Sequence, residues 1–366
     1  MANYDYEIVN GRKIRVRPKE TVSEIDKNGY FRRQPNHFTT PFGDGENDLK
    51  AEGNKRYRLV WAKLCHWSNR AAIVRELEGL EDQISVNMVE HAPHEKNLGW
   101  EYVYNENNID PVLGDQFLSE AYYRADDDYQ GRTTVPALID TTTGKVVNND
   151  YNWLTTYFEV NFRPWHKKGA PELYPVELRE EIDKMNLWLF DNINNAVYRS
   201  SFSRSNEGHF DGVNTFYAAM DRLEKRLETN RFLFGDYVTD SDIRLYVTLA
   251  RLDIRYTAQL GETKRPLYTY KNLWGYAKEL WEIPAFAHHT DFAAIIRQGR
   301  IEGEEDGFRA STHYDLALPK IDWDAQWKVS TERAYLSSDP THPIYLGNNR
   351  RFDIDPTWYD LGAESP

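Results

Sequence analysis

The strand-like segments of this chain precede a Pro-, Lys- and Gly-containing break at residues 164–171, and long helical periods follow it. The run Tyr57-Arg58-Leu59-Val60-Trp61-Ala62 reads as a strand over 57–62. A helix over 68–77 follows, with Ala71, Ile73, Val74 and Leu77 as its apolar side, and Gly79 is placed to end it. Ile84, Val86 and Met88 alternate like a half-buried strand over 84–89, which completes a βαβ unit. A helix over 115–125 comes next, then short strands around 136–139 and 145–147. A turn at Thr143-Gly144 would join those two as an antiparallel hairpin, and a third helix would start near Asp150. After the break, helical patterns cover 175–199, 211–229, 239–258, 268–280 and 284–297. Thr239 and Asp242 fit the two ends of a capping box, a structural role.

Four regions are expected on this basis. Residues 1–54 read as an irregular arm, whose aromatics (Tyr30, Phe31, Phe38, Phe42) favour wrapping over the body. Residues 55–165 form an α/β domain, 172–302 an all-helical domain and 303–366 an irregular extension rich in proline. No repeat period is present.

A chain of 366 residues can hold two cores, and its 11 Trp and 24 Tyr argue against general disorder. No apolar stretch approaches a membrane span, and the first residues lack a signal-peptide core. The net charge of −13 opposes nucleic-acid binding, which needs Lys and Arg for phosphates. There is no Gly-rich phosphate loop of the usual pattern. No close Cys/His cluster makes a convincing metal site, and His288-His289 reads as a surface pair. A single cysteine excludes an internal disulfide, so the expected compartment is the cytoplasm.

That cysteine, Cys65, stands between the first strand of the βαβ unit and its helix. Unpaired N–H groups and the helix dipole at such a position favour an anion and activate a thiol. Burial as a small hydrophobe is the alternative for a lone cysteine.

A small α/β unit with a thiol at a helix N-terminus, followed by an all-helical domain, resembles a glutathione transferase. More narrowly, the chain resembles the glutathionyl-hydroquinone reductases, the xi-class transferases. The likeness rests on an ordered set of segments between about residues 26 and 300. Residues 57–70 match the family's strand and Cys-Pro-Trp-Ala helix start, and Gly99-Trp100 its Gly-Trp. Gly131-Arg132-Thr133-Thr134-Val135-Pro136 matches Gly-Arg-Val-Thr-Val-Pro. Asn194-Asn195-Ala196-Val197-Tyr198 matches Asn-Asn-Gly-Val-Tyr, and residues 239–245 match Thr-Glu-Ala-Asp-Ile-Arg-Leu.

The resemblance implies a thioredoxin-like domain followed by an all-α glutathione-transferase domain, with glutathione or another low-molecular-weight thiol as cosubstrate. It implies an aromatic substrate and a homodimer. Cys65 would be the nucleophile, attacking the sulfur of a thiol conjugate and becoming a mixed disulfide that a second thiol reduces. Ser68 occupies the second-cysteine position of a dithiol motif, so an external thiol must resolve the intermediate. Val135-Pro136 would be a cis peptide whose backbone pairs with the bound thiol peptide. Trp100 and Arg132 would line or support the thiol site, an indole wall and a carboxylate partner. Tyr198 would face the aromatic substrate and hydrogen-bond a phenolic oxygen.

The chain departs from the pattern at the site. His66 replaces the proline after the cysteine, and its imidazole would stabilise the thiolate or point to solvent. Ser68 replaces alanine and would bond the sulfur or cap its own helix. Asp150-Tyr151 stands where the family has the Glu-Ser pair that binds the γ-glutamyl end. A second substrate tyrosine is missing near Arg297-Gln298-Gly299-Arg300, with Tyr314, Trp323 and Trp327 as candidate replacements. These departures leave room for a different thiol or electrophile, for a transferase or lyase reaction on a thioether, or for a non-catalytic ligand-binding protein.

Overall fold

The structure, a computed structural model, describes residues 4–17, 23–92, 98–257, 260–261, 265–296, 321–338 and 343. The chain forms two compact units, one of residues 1–24 and 33–167, the other of residues 25–32 and 168–366.

The first unit begins with a feature that corrects the irregular-arm expectation. Strands β1 (Tyr6–Val9) and β2 (Arg12–Arg15) pair antiparallel around Asn10-Gly11, both in the left-handed region at φ 49° and 78°. An Asn-Gly pair between two extended runs is a strong short-range hairpin signal, because both central residues of the favoured turn need positive φ.

The central sheet has the order β4 (Ile84–Met88), β3 (Tyr57–Trp61), β7 (Ala137–Asp140), β8 (Lys145–Asn148). β3 runs parallel to β4 and antiparallel to β7, and β7 pairs antiparallel with β8. Every residue of β3 is buried, which explains its largely apolar character; the exception, Arg58, donates from Nε to buried Asp110 at 2.8 Å. Between β3 and β4 the chain forms α1 (His66–Glu78), closed by Gly79 at φ 74°. The βαβ unit, the helix-ending glycine and the hairpin at Gly144 (φ 68°) all follow the sequence expectation. A second small pair, β5 (Glu90–His91) with β6 (Trp100–Glu101), lies beyond β4. Helices α2 (Leu118–Ala125) and α3 (Leu154–Val160) pack on β8 and α1 respectively. α3 starts four residues after Asp150, because the chain first makes a turn over 151–153.

The arm between 33 and 50 packs onto this sheet. Thr39 bridges Asn148 at the β8 edge, and the Phe38 N–H donates to Asn149 Oδ1 at 2.9 Å. Phe42 fits between Tyr57 and Phe162, with ring centroids 5.3 Å from each.

The second unit is helical. The pattern over 175–199 is not one helix: α4 (Arg179–Leu189) passes into a π-helical turn (Phe190–Asn194) and then α5 (Ala196–Phe202). Asn194 holds this junction, donating to Thr248 Oγ1 at 2.7 Å and to the Arg244 carbonyl at 2.8 Å. α6 (Asn206–Arg226) begins five residues earlier than the sequence suggests, with Ser205 accepting from the Gly208 N–H. α7 (Asp240–Arg251) has the expected capping box, and a π-helical turn (Leu252–Tyr256) follows it. Buried Asp242 accepts from the Thr239 N–H, the Leu233 N–H and the Tyr276 hydroxyl. Helices Lys271–Trp281 and Pro284–His288 continue the bundle, with further helical residues at 292–296.

The extension is not wholly irregular. Trp323–Trp327 forms a short helix, and buried Trp327 lies among Trp274, Phe292 and Tyr246 at 5.1, 5.4 and 6.2 Å between ring centroids. Trp327 is therefore core, which removes it as a replacement for the missing tyrosine; Trp323 is half-buried. Tyr314 and residues 297–300 lie outside the described residues.

Candidate active site

The chain after β3 turns directly into α1, and Cys65 is the N-cap residue of that helix with extended backbone (φ −78°, ψ 113°). Helix N–H groups in this first turn have no intrahelical acceptor. Cys65 is 7% exposed, and its Sγ lies 3.7 Å from the Val135 carbonyl oxygen, its hydrogen-bond acceptor. The Val135–Pro136 peptide is cis, as the sequence suggests.

Ser68 does not bond the sulfur. Its hydroxyl accepts from the Ala62 N–H at 3.1 Å and donates to the carbonyls of Ala62 and Cys65 at 3.2 and 3.3 Å. It ties together the two ends of the loop that presents Cys65, so its role is to position that loop. His66 does not point to solvent: it is 1% exposed and stands edge-on against Trp67 at 4.3 Å.

Tyr151 occupies the space beside α1. Its ring lies 4.7 Å from that of Trp67, and the Arg33 guanidinium sits 4.6 Å over the Trp67 ring. Burial, above all, raises the Tyr151 pKa, so the phenol stays protonated at neutral pH. The Asp150 carboxylate accepts from Asn36 Nδ2 at 2.9 Å and from the Asn152 N–H at 3.0 Å.

Trp100 and Arg132 line one open cleft, together with Arg17, Ser119, Tyr123 and Thr133. Trp100 stacks on its cross-strand neighbour His91 at 3.7 Å and donates from Nε1 to the Thr133 carbonyl at 3.2 Å. Gly99 permits this approach, since it has φ 78° and a Cβ there would come within 2.7 Å of Thr133 Oγ1. Arg132 has a carboxylate partner within the chain: its Nε and NH2 donate to Glu24 at 2.8 and 3.0 Å. Burial works to raise the Glu24 pKa, but the Arg132 hydrogen bonds and charge outweigh it and hold Glu24 below the usual range.

Tyr198 belongs to the helical unit. It is half-buried on α5, 5.6 Å from Phe202 and 6.5 Å from Tyr256 between ring centroids. The sequence reading missed Glu24, Arg17 and Ser119. None sits in a periodic or motif context that marks it.

Residues 196–279 match the family model described as glutathione S-transferase, C-terminal domain. Glutathione S-transferase omega-like 2 of Schizosaccharomyces pombe is 35% identical over 280 residues, covering 74% of this chain and 88% of that protein. Glutathionyl-hydroquinone reductase YqjG of Escherichia coli is 33% identical over 240 residues, covering 66% and 73%. The chain belongs to the glutathionyl-hydroquinone reductase family, the xi-class glutathione transferases. The solved glutathione S-transferase Xi from Phanerochaete chrysosporium superposes with a TM-score of 0.67 at 33% identity, over 74% of this chain and 88% of that one. Among the described residues no helix is long and apolar enough to cross a membrane, and no His/Cys/Asp/Glu group could hold a metal ion.

Proposed function

We propose that this xi-class transferase is a thiol-dependent reductase that uses glutathione as cosubstrate and cleaves a glutathionyl conjugate of an aromatic substrate. The observation that carries the reading is Cys65 at the N-cap of α1, with its sulfur beside the carbonyl of cis-linked Val135. The Cys65 thiolate attacks the conjugate's sulfur. The carbon–sulfur bond breaks, its electron pair stays on the aromatic carbon, and that carbon takes up a proton. Cys65 is left as a mixed disulfide with glutathione. A second glutathione thiolate attacks the glutathione sulfur of that disulfide, releasing the Cys65 thiolate and glutathione disulfide. Because Cys65 is the sole cysteine, no other thiol of this chain can do the second step.

In this reading Val135 and Pro136 present backbone to the thiol peptide, Trp100 and Arg132 support one end of it, and Asp150 and Tyr151 meet the other. Ser68 positions the Cys65 loop, and His66 packs behind it. Tyr198 donates its hydroxyl to the phenolic oxygen of the substrate. The enzyme acts as a homodimer in a reducing compartment, the cytoplasm.

Intact-mass measurement of wild-type protein and Cys65→Ser, exposed to glutathione disulfide and then to glutathione, tests the reading. A Cys65-dependent glutathionyl adduct that glutathione removes, followed by turnover of a glutathionyl-hydroquinone, is expected. No adduct on the wild-type protein sinks it.

A further inference from the structure

The cleft beside Trp100 contains two groups that the reaction above leaves unused. Arg17 follows the β1–β2 hairpin, is half-buried, and makes no hydrogen bond or ion pair among the described residues. Ser119, on α2, is 3% exposed, and its hydroxyl has no partner among the described residues. Both line the same cleft as Arg132. Arg132 is already neutralised by its two hydrogen bonds to Glu24, so the cleft keeps one unmatched positive charge, on Arg17. Burial first, then the nearby Arg132 charge, lowers the Arg17 pKa, and an anion in the cleft relieves both costs. A buried hydroxyl without a partner is unfavourable, and a ligand oxygen within hydrogen-bond reach would satisfy it.

The sheet order gives the ligand a direction. β3 leads to Cys65, β4 leads to His91, β7 begins after Pro136 and β8 leads to Asp150, all at one end of the sheet. The Arg17 cleft and Asp150 thus flank Cys65 from opposite sheet edges. Three strand spacings separate those edges, roughly 14 Å. An extended tripeptide reaches about 10 Å along its backbone, and its side chains add to that.

We infer that Arg17 and Ser119 form a carboxylate subsite that reads the glycyl end of the thiol peptide. This rests on the proposed use of glutathione. Arg17 is a specificity residue contributed by the N-terminal segment, and Ser119 supplies one further donor.

The test measures, by calorimetry on a Cys65→Ser background, the binding of glutathione and of its glycyl monoethyl ester. The free acid is expected to bind about tenfold more tightly than the ester, as for one charge-assisted hydrogen-bonded contact. Arg17→Gln should bring the acid-to-ester ratio close to one, Arg17→Lys should keep part of it, and Ser119→Ala should reduce it. An acid-to-ester ratio that Arg17→Gln leaves at its starting value overturns the inference. A parallel intact-mass arm uses the chain with Cys65 intact and glutathione disulfide. An adduct there with no Arg17-dependent ratio defeats the subsite alone, whereas no adduct and no binding defeat the proposed function and the subsite together.

Discussion

Cys65 Sγ and the Val135 carbonyl oxygen stand 3.7 Å apart, although 70 residues separate them in the chain. One belongs to the N-cap of α1 and the other to Val135, two residues before β7. Adjacent strands β3 and β7 bring them to the same end of the sheet. This meeting of a thiol and a backbone carbonyl is the geometry on which the proposed thiol-peptide site rests. A merely buried cysteine would need no such neighbour.

Ser68→Ala should destabilise the protein by about 1–3 kcal/mol, because the buried Ala62 N–H loses its hydroxyl acceptor. Urea unfolding reads this directly. Unchanged stability together with altered Cys65 reactivity would mean the hydroxyl acts on the sulfur instead.

Tyr151→Ser removes a ring that packs on Trp67 at 4.7 Å, at a cost of about 0.5–1.5 kcal/mol. In the proposed reading, the same change puts a small hydroxyl where the γ-glutamyl end of glutathione would lie. Glutathione should bind several-fold more tightly to the variant, measured by calorimetry. Equal or weaker binding would show that Tyr151 does not obstruct that end.

The His166–Glu78 pair predicts pH-dependent stability. Their side chains meet at 2.9 Å, and His166 also bonds the Phe158 carbonyl. Burial works to lower the His166 pKa, but the Glu78 hydrogen bond and charge outweigh it, and the net shift is upward from about 6.5. Burial also raises Glu78, with His166 opposing it in part. A group whose pKa is raised by folding stabilises fully below its unfolded value and loses that contribution as pH rises through its folded value. Both partners shift in the same sense. Denaturation of the wild-type protein should therefore show stability falling as pH rises above about 4.5 for Glu78 and above about 6.5 for His166, and His166→Asn should flatten the upper part of that slope. An identical slope in both proteins would refute the assignment.

Asp242→Ala should cost about 3 kcal/mol or more, since it strips acceptors from two backbone N–H groups and the Tyr276 hydroxyl in a buried place. Thermal unfolding measures it. A loss under about 1 kcal/mol would mean that rearranged donors find other acceptors.

Much of this protein is legible in its residues. The periodicity of 57–89 and Gly79 specify the βαβ unit, and Thr239 with Asp242 specify the start of α7. These signals are local: hydrophobic spacing, a left-handed cap and a carboxylate three residues from its hydroxyl. The Asn10-Gly11 hairpin was equally local, and the surrounding charge and turn residues obscured it. The π-helical turn over 190–194 was not legible, because Asn194 is held by Arg244 and Thr248, which come 50 and 54 residues later.

The sequence by itself determined the order of elements, the single thiol and its place at a helix start. Tertiary structure alone decided which partners the site residues keep. Arg132 lies 108 residues from Glu24, Ser68 turns to backbone and away from the sulfur, and Tyr151 settles on Trp67. Helix and strand periods report only which face of a segment is buried. A guanidinium or hydroxyl chooses among whatever groups the folded chain brings within about 3 Å, and that choice leaves no period in the sequence.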